Sequence, residues 1–266
     1  MLEWRYREQL SWRLVLIGLT ETADQYARRG YTPLRGALGS LRFRERYGMP
    51  FTVAPKPRLS ATARACRAVI ATRLRHPGRE WAAFRAIQLA NFTTALVLDD
   101  DRQLRDVLSG VAGIDAEAVI AALDSEEVGE AYRADRERAR AAEGSAAQLQ
   151  GKTATTDGPV RFTAPSLVFE RDGRQLVAGG FQPVEAYDVL VCNLDPQLRR
   201  EPPPDGPRAL LEHFPEGLVT QEVAALLAVG NDAPDRVGAE AALTGLVADG
   251  RARRLALGDD ALWLPA

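Results

Sequence analysis

The chain has 266 residues, a mass of 29.0 kDa and a formal net charge of -2. Hydrophobic residues make up 46% and charged ones 26%, which is globular composition, enough for one to two domains, and excludes a disordered or fibrous protein. Two cysteines, Cys66 and Cys192, and two histidines, His76 and His213, exclude a disulfide scaffold, a four-cysteine zinc site and a histidine-rich metal site, so no metal or cofactor is expected.

The apolar run 14–19 is far short of the roughly 20 residues a membrane helix needs. Residues 1–10 are charged and aromatic, unlike a signal peptide. The expectation is a cytoplasmic protein with reduced thiols and no membrane association. Lysine occurs only at positions 56 and 152, and alanine is abundant, the composition of a high-GC bacterial gene. Charge is unevenly spread: residues 1–98 net +11, residues 99–206 net -9 and residues 207–266 net -4. An arginine-rich surface balancing an acidic neighbour is the favoured reading, with an anion-binding face as the alternative.

Residues 11–19 are short, apolar and β-rich and predict a buried strand. Residues 31–57 read as loop with a short helix over 41–47. Ser60 is placed as the N-cap of a helix carrying Cys66, Val69, Ile70 and Leu74 on one face, ended by His76-Pro77-Gly78. A second helix turns Trp81, Phe84 and Ile87 inward. Asp100 or Asp101 caps a third with Leu104, Val107 and Leu108, and Ile114, Val119, Ile120 and Leu123 mark a fourth. A long charged helix over 126–143 ends at Gly144, so residues 60–143 form a helical block.

Residues 145–160 read as a flexible connection. A strand over 162–170, the turn Arg171-Asp172-Gly173 and a return strand over 174–181 follow, Asp-Gly being a strong hairpin signal. Pro183 starts a helix with Ala186, Leu190 and Leu194 inward. Residues 199–207 are a proline-rich, semi-rigid linker. Beyond it, a helix over 208–214, a helix 221–228 capped by Thr220, a helix capped by Asp235 and closed by Gly250, and a hairpin over 253–264 predict a winged helix. That unit nets -4, and its last helix carries Asp235, Glu240 and Asp249 against Arg236. Contact with a protein is therefore favoured over DNA, although Arg251, Arg253 and Arg254 form a local basic patch on the wing.

No Cys-x-x-Cys pair exists among these residues, and each cysteine reads as a buried structural thiol. His76 reads as an exposed loop residue, and His213 lacks ligands at metal spacing. Asp99 to Asp101 fit helix capping better than metal binding. Gly-x-Gly-x-x-Gly and P-loop patterns are absent. The most informative pair is Ala164-Pro165: a proline heading an apolar strand deletes a ladder donor, and fits if the peptide is cis in a tight turn. The backbone of the preceding residue is then free to bind an extended thiol substrate. A trans proline at the start of an edge strand is the alternative.

Residues 12–19 (WRLVLIGL), 85–92 (RAIQLANF), 163–169 (TAPSLVF) and 179–183 (GGFQP) give the chain a resemblance to the DsbA-like branch of the thioredoxin superfamily. That branch includes the dithiol-disulfide isomerases similar to FrnE and the 2-hydroxychromene-2-carboxylate isomerases. The resemblance covers residues 1–198 and implies an α/β, thioredoxin-like sheet with a large helical insertion at 60–143. It implies thiol-disulfide oxidoreduction or isomerisation, with Pro165 as the cis-proline and Thr163 and Ala164 facing a thiol-containing or extended peptide. The family's opening strand and cysteine turn have no counterpart, so no catalytic residue is expected in this chain. Three alternatives stand: a strand and turn precede Met1, the two remaining strands close up, or a partner lends a strand. A non-catalytic interaction module, using the proline groove and the winged helix to bind a protein partner, is the competing function.

Overall fold

A computed structural model describes residues 1–155, 158–230 and 232–266; Thr156 and Asp157, inside the predicted flexible connection, lie outside the described residues. In chain order the elements are α1 (Leu2–Tyr6) with a 3-10 turn (Arg7–Gln9), α2 (Ala23–Arg28), α3 (Pro33–Tyr47), α4 (Ala63–Arg75), α5 (Glu80–Thr93), α6 (Asp101–Ser109), α7 (Ala116–Ala121) and α8 (Glu126–Ala139). There follow α9 (Ala146–Leu149), β1 (Thr153–Ala154), β2 (Arg161–Phe162), β3 (Leu167–Arg171), β4 (Arg174–Ala178) and α10 (Val184–Leu194). The chain closes with α11 (Pro207–His213), β5 (Leu218–Val219), α12 (Thr220–Leu227), α13 (Arg236–Ala248), β6 (Ala252–Leu257) and β7 (Asp260–Pro265). The strands form three small antiparallel sheets, β1-β2, β3-β4 and β5-β7-β6.

The helical block is built on α4. Ala68 to Thr72 are buried, and Val69 and Ile70 pack with Leu104, Leu108, Val119, Leu123, Val128 and Tyr132 of the surrounding helices. Asp100, Asp115 and Ser125 cap α6, α7 and α8 through the N–H groups of Gln103, Ala118 and Val128. Several local expectations are corrected. Ser60 is not a cap; α4 begins at Ala63, and Thr62 uses its hydroxyl on Thr20 instead. Trp81 is exposed, because Ala82, Ala83 and Ile87 form the inward face of α5. The last helix of the block ends at Ala139, four residues early, and α3 is twice the predicted length.

The main departure is at residues 11–19, which form no strand and pair with none among the described residues. Residues 12–18 and 164–170 therefore share no sheet, and the predicted single thioredoxin-like sheet is replaced by separate small ones. The backbone groups that a neighbouring strand would take are bound by helix side chains. The Asp135 carboxylate accepts from the Leu16 N–H at 3.0 Å, and Arg73 donates to the Leu14 carbonyl at 2.7 Å. Arg140 donates to the carbonyls of Ile17 and Gly18 at 2.8 and 3.2 Å, and the Thr20 N–H reaches Thr62 Oγ1 at 3.0 Å. Buried backbone groups need partners of some kind, and these satisfy the segment without a ladder. Gly18, at φ 57°, sits so close to Tyr132 that a Cβ there would fall on the Tyr132 hydroxyl.

The predicted strand 162–170 is interrupted by the proline loop, leaving β2 and β3 as separate pieces. Asp172 and Gly173 both have positive φ and join β3 to β4 with Arg171 opposite Arg174, as the Asp-Gly signal requires. The return strand stops at Ala178. The inward face of α10 is Val184, Tyr187 and Val191 rather than 186, 190 and 194; these three pack with Leu2, Tyr6, Leu167 and Phe169. Tyr6 Oη donates to Asp188 at 2.5 Å, and Arg200 and Arg5 close on the same carboxylate at 2.9 and 3.3 Å. The proline-rich stretch is held down: the Glu201 N–H donates to the Arg5 carbonyl, and Trp4 Nε1 donates to the Pro202 carbonyl.

The C-terminal elements surround Leu210, Leu211, Val223, Leu243 and the fully buried Trp263. Thr220 is the first residue of α12 rather than its cap, because its hydroxyl is used inward, accepting from Trp263 Nε1 at 2.9 Å and donating to Asp260 at 2.6 Å. Arg236 continues the chain from Asp260 (3.2 Å) to the Gly48 carbonyl. Arg85 grips Glu222 with two bonds (2.9 and 2.7 Å), Arg79 meets Glu216 at 3.3 Å, and Arg44 meets Asp259 at 3.0 Å. These pairs fasten the C-terminal elements to the helical block.

Asp135 is 1% exposed and serves two partners at once. Asp135→Ala is expected to cost about 3–5 kcal/mol, since Arg73 and the Leu16 N–H lose their acceptor inside the protein. Asp135→Asn keeps an acceptor and should cost about 1–3 kcal/mol; chemical denaturation measures both. At Asp188, burial pushes the carboxyl up, but the bonds from Arg200 and Tyr6 and the charge of Arg5 outweigh it and hold it below the ordinary 3.8. A depressed folded value means stability present above 3.8 and lost as pH falls through that lower value. Arg200→Gln should move the acid-unfolding midpoint, followed by circular dichroism, to higher pH.

Candidate functional site

The loop between β2 and β3 carries Thr163, Ala164 and Pro165, and the Ala164–Pro165 peptide is cis. Ala164 and Pro165 are exposed, and neither the N–H nor the carbonyl of Ala164 is hydrogen-bonded among the described residues. Thr163 is half-buried and already used. Its N–H and hydroxyl both reach the Lys152 carbonyl, at 3.4 and 2.9 Å, and its own carbonyl accepts from Ser166 Oγ at 2.5 Å. Of the three residues expected to face a substrate, Ala164 and Pro165 are open, while Thr163 holds the loop.

A second layer fixes this loop from the β4–α10 side. The Gly180 N–H donates to Ser166 Oγ at 3.0 Å, Tyr187 Oη donates to the Gly180 carbonyl at 3.2 Å and accepts from the Gln182 N–H at 3.0 Å. Gly179 is required by close packing, since a Cβ there would stand 2.8 Å from that of Lys152. Gly180 has φ 69°. Phe181, 59% exposed, packs against Tyr47 of α3 with ring centroids 5.4 Å apart and ring planes tilted at 58°. Sequence reasoning found the Gly-Gly-Phe-Gln-Pro stretch only through family resemblance. It missed Ser166, Tyr187 and Tyr47, for which no spacing rule offers a signal.

Neither thiol joins this loop through any hydrogen bond. Cys66 is half-buried on α4, packed against the helical core, and burial pushes its thiol up to about 12 against one bond from the Gly18 N–H. Cys192 is half-buried on α10, beside Tyr6 Oη and Arg200. His76 accepts from the Asp115 N–H at 3.2 Å, and His213 packs edge-on against Trp4 and Phe214. Asp100 is a cap, as expected, while Asp99 and Asp101 pair with Arg58 and Arg64. Among the described residues no group of three or more His, Cys, Asp or Glu side chains could hold a metal ion. No helix among them is long and apolar enough to cross a membrane.

A known family accounts for the helical block but does not extend to the small sheets. Residues 41–143 match the family of the DSBA-like thioredoxin domain, a stretch that takes in α4 to α8 and ends before the proline loop. Two solved structures are similar. One is a protein from Nitrosomonas europaea assigned as a protein disulfide isomerase (22% identity, 57% of this chain and 68% of that chain, TM-score 0.45). The other is the cytosolic disulfide reductase DsbM from Pseudomonas aeruginosa (21% identity, 70% and 83%, TM-score 0.45). No curated protein matches the sequence.

Because only the thiolate reacts, Cys66 should resist alkylation. With a thiol at about 12, roughly one part in 10⁴ is ionised at pH 8. Iodoacetamide labelling of the native chain at pH 8, read by mass spectrometry, should leave Cys66 unmodified, and denaturant should expose it.

Proposed function

We propose that residues 1–266 carry the substrate-holding side of a thiol-disulfide oxidoreductase or isomerase and hold no dithiol with which to exchange disulfides. In this reading the chain comprises a DsbA-like domain over 1–198, a linker over 199–207 and a winged helix over 208–266. The observation that carries it is the open backbone of Ala164 next to exposed Pro165, in a loop fixed by Lys152, Ser166 and Gly180. An extended peptide can lie against such a loop and bond to the free N–H and carbonyl, as an added strand does. Disulfide exchange needs an attacking thiolate, and the two cysteines of this chain are single residues on different helices, Cys66 against the apolar core of the helical block and Cys192 beside Tyr6 Oη and Arg200.

The competing reading is a binding module without chemistry, in which the winged helix meets a protein rather than DNA. It draws support from the net charge of -4 on residues 207–266, which does not favour contact with DNA phosphates. A cytoplasmic setting fits both readings, since neither uses a stable disulfide.

The test takes the chain as it stands. Insulin reduction and refolding of scrambled ribonuclease should show no rate above the uncatalysed one; a measurable rate would overturn the proposal. Fluorescein-labelled, reduced insulin B chain should bind in an anisotropy titration. Ala164→Arg should weaken that binding by about tenfold or more while leaving the melting temperature unchanged, because the side chain is exposed. Equal binding by the two proteins would place the peptide elsewhere.

A further inference from the structure

Residues 21–49 contain two helices and not one buried residue. Such a stretch needs an explanation, because an isolated helix of about 15 residues is marginal in water and gains its stability from packing an apolar face. α3 is well capped: Thr32 accepts from the Arg35 N–H at 3.1 Å, Pro33 occupies the first turn and Gly48 closes the end at φ 64°. Its interior is poor for a free helix, since Gly36 and Gly39 each cost about 1 kcal/mol relative to alanine. The end of α3 is fixed by Arg44 on Asp259 and by Arg236 on the Gly48 carbonyl. Toward its start the helix exposes leucine.

Leu34 and Leu38 are 62% and 52% exposed, and Leu41 follows at helical spacing. Positions 34, 38 and 41 lie on one narrow stripe, spaced four and then three residues apart, as in a helix–helix seam. Arg35, Arg42 and Arg46 run along one flank of that stripe, and none has a carboxylate partner among the described residues. Most arginines of the helical block are paired with a carboxylate, Arg64, Arg73, Arg75, Arg79, Arg85, Arg105 and Arg136 among them.

We propose that the leucine stripe of α3 docks an acidic amphipathic helix of another protein, its leucines in the seam and its carboxylates on Arg35, Arg42 and Arg46. Charge complementarity selects this occupant. A second copy would bring the same three unpaired arginines against one another. A bilayer wants a broad apolar face, whereas this stripe is one leucine wide and three long and ends at Glu45, which falls on the same line. The surface is separate from the Ala164 loop and does not depend on what that loop binds.

The test uses a fluorescein-labelled synthetic helix with leucines at heptad spacing and glutamates on the flanks, titrated with the full chain in low salt. Saturable binding is expected, about tenfold or more weaker for Leu34→Glu with Leu38→Glu. It should also be weaker, and less sensitive to salt, for the triple change of Arg35, Arg42 and Arg46 to Gln. The same peptide with lysine flanks should not bind. Since these side chains are exposed, the variants should keep the parent circular-dichroism spectrum. No binding of the glutamate peptide, or binding unchanged in the leucine variant, overturns the proposal. So does a dimer by light scattering, or binding to vesicles with 30% phosphatidylglycerol, that the leucine variant abolishes.

Discussion

The buried carboxylate of Asp135 is the constraint on which the rest of the structure depends. One side chain on α8 takes the Leu16 N–H and the Arg73 guanidinium, and Arg73 in turn takes the Leu14 carbonyl. The segment 11–19 is thereby pinned across α4 and α8 with no strand beside it among the described residues. A charge in so dry a place is tolerated only when every member is paired and hydrogen-bonded. That arrangement fixes where the chain leaves the helical core toward α2 and α3, and it keeps Gly18 against Tyr132.

The Ala164 loop is organised on a different principle. It lies at the junction of short elements, β1, β2, β3 and α9, none of which is stable alone. Its shape comes from a few crossed bonds: the Lys152 carbonyl to Thr163, Ser166 to Thr163 and Gly180, Tyr187 to Gly180 and Gln182. The result holds polar groups inward and leaves the backbone of one residue facing out. Nothing reactive is set beside it by hydrogen bonding, and the thiol on α4 is silenced by its own packing.

What was legible in the sequence follows from how local the deciding forces are. The Asp100 cap, the Asp172-Gly173 turn, Pro183 before α10, and Asp235 with Gly250 around α13 all depend on a few adjacent residues, and all hold. The run 11–19 was misread because an apolar, β-rich stretch looks the same whether a strand or a row of helix side chains completes its hydrogen bonds. The partners, Arg73, Asp135 and Arg140, lie 59 to 123 residues away. The covered face of α10 differs by about one position from the one expected, because Val191 and Leu190 are equally apolar and distant residues, Leu2, Tyr6, Leu167 and Phe169, decide which is covered. Of the loop, the Ala-Pro pair was legible; the bonds that hold it were not.

The uneven charge resolves in the same non-local way. The net +11 of residues 1–98 is met by acids supplied later in the chain: Asp99, Asp101 and Asp124 on Arg58 and Arg64, Asp135 on Arg73, Glu222 on Arg85, Glu216 on Arg79 and Asp259 on Arg44. Exposed pairs of this kind are worth little singly, up to about 1 kcal/mol, so their role is to set register rather than to supply the stability. Helix α4 is a case in point: its arginines reach α6, α8 and the Leu14 carbonyl at once, so their spacing on one helix fixes where those elements dock. On α3, a 15-residue helix with no buried residue, Arg35, Arg42 and Arg46 meet no acid among the described residues. There the leucine stripe and the unanswered charge lie side by side on one helix, so a partner bringing both apolar groups and carboxylates would match the two at once.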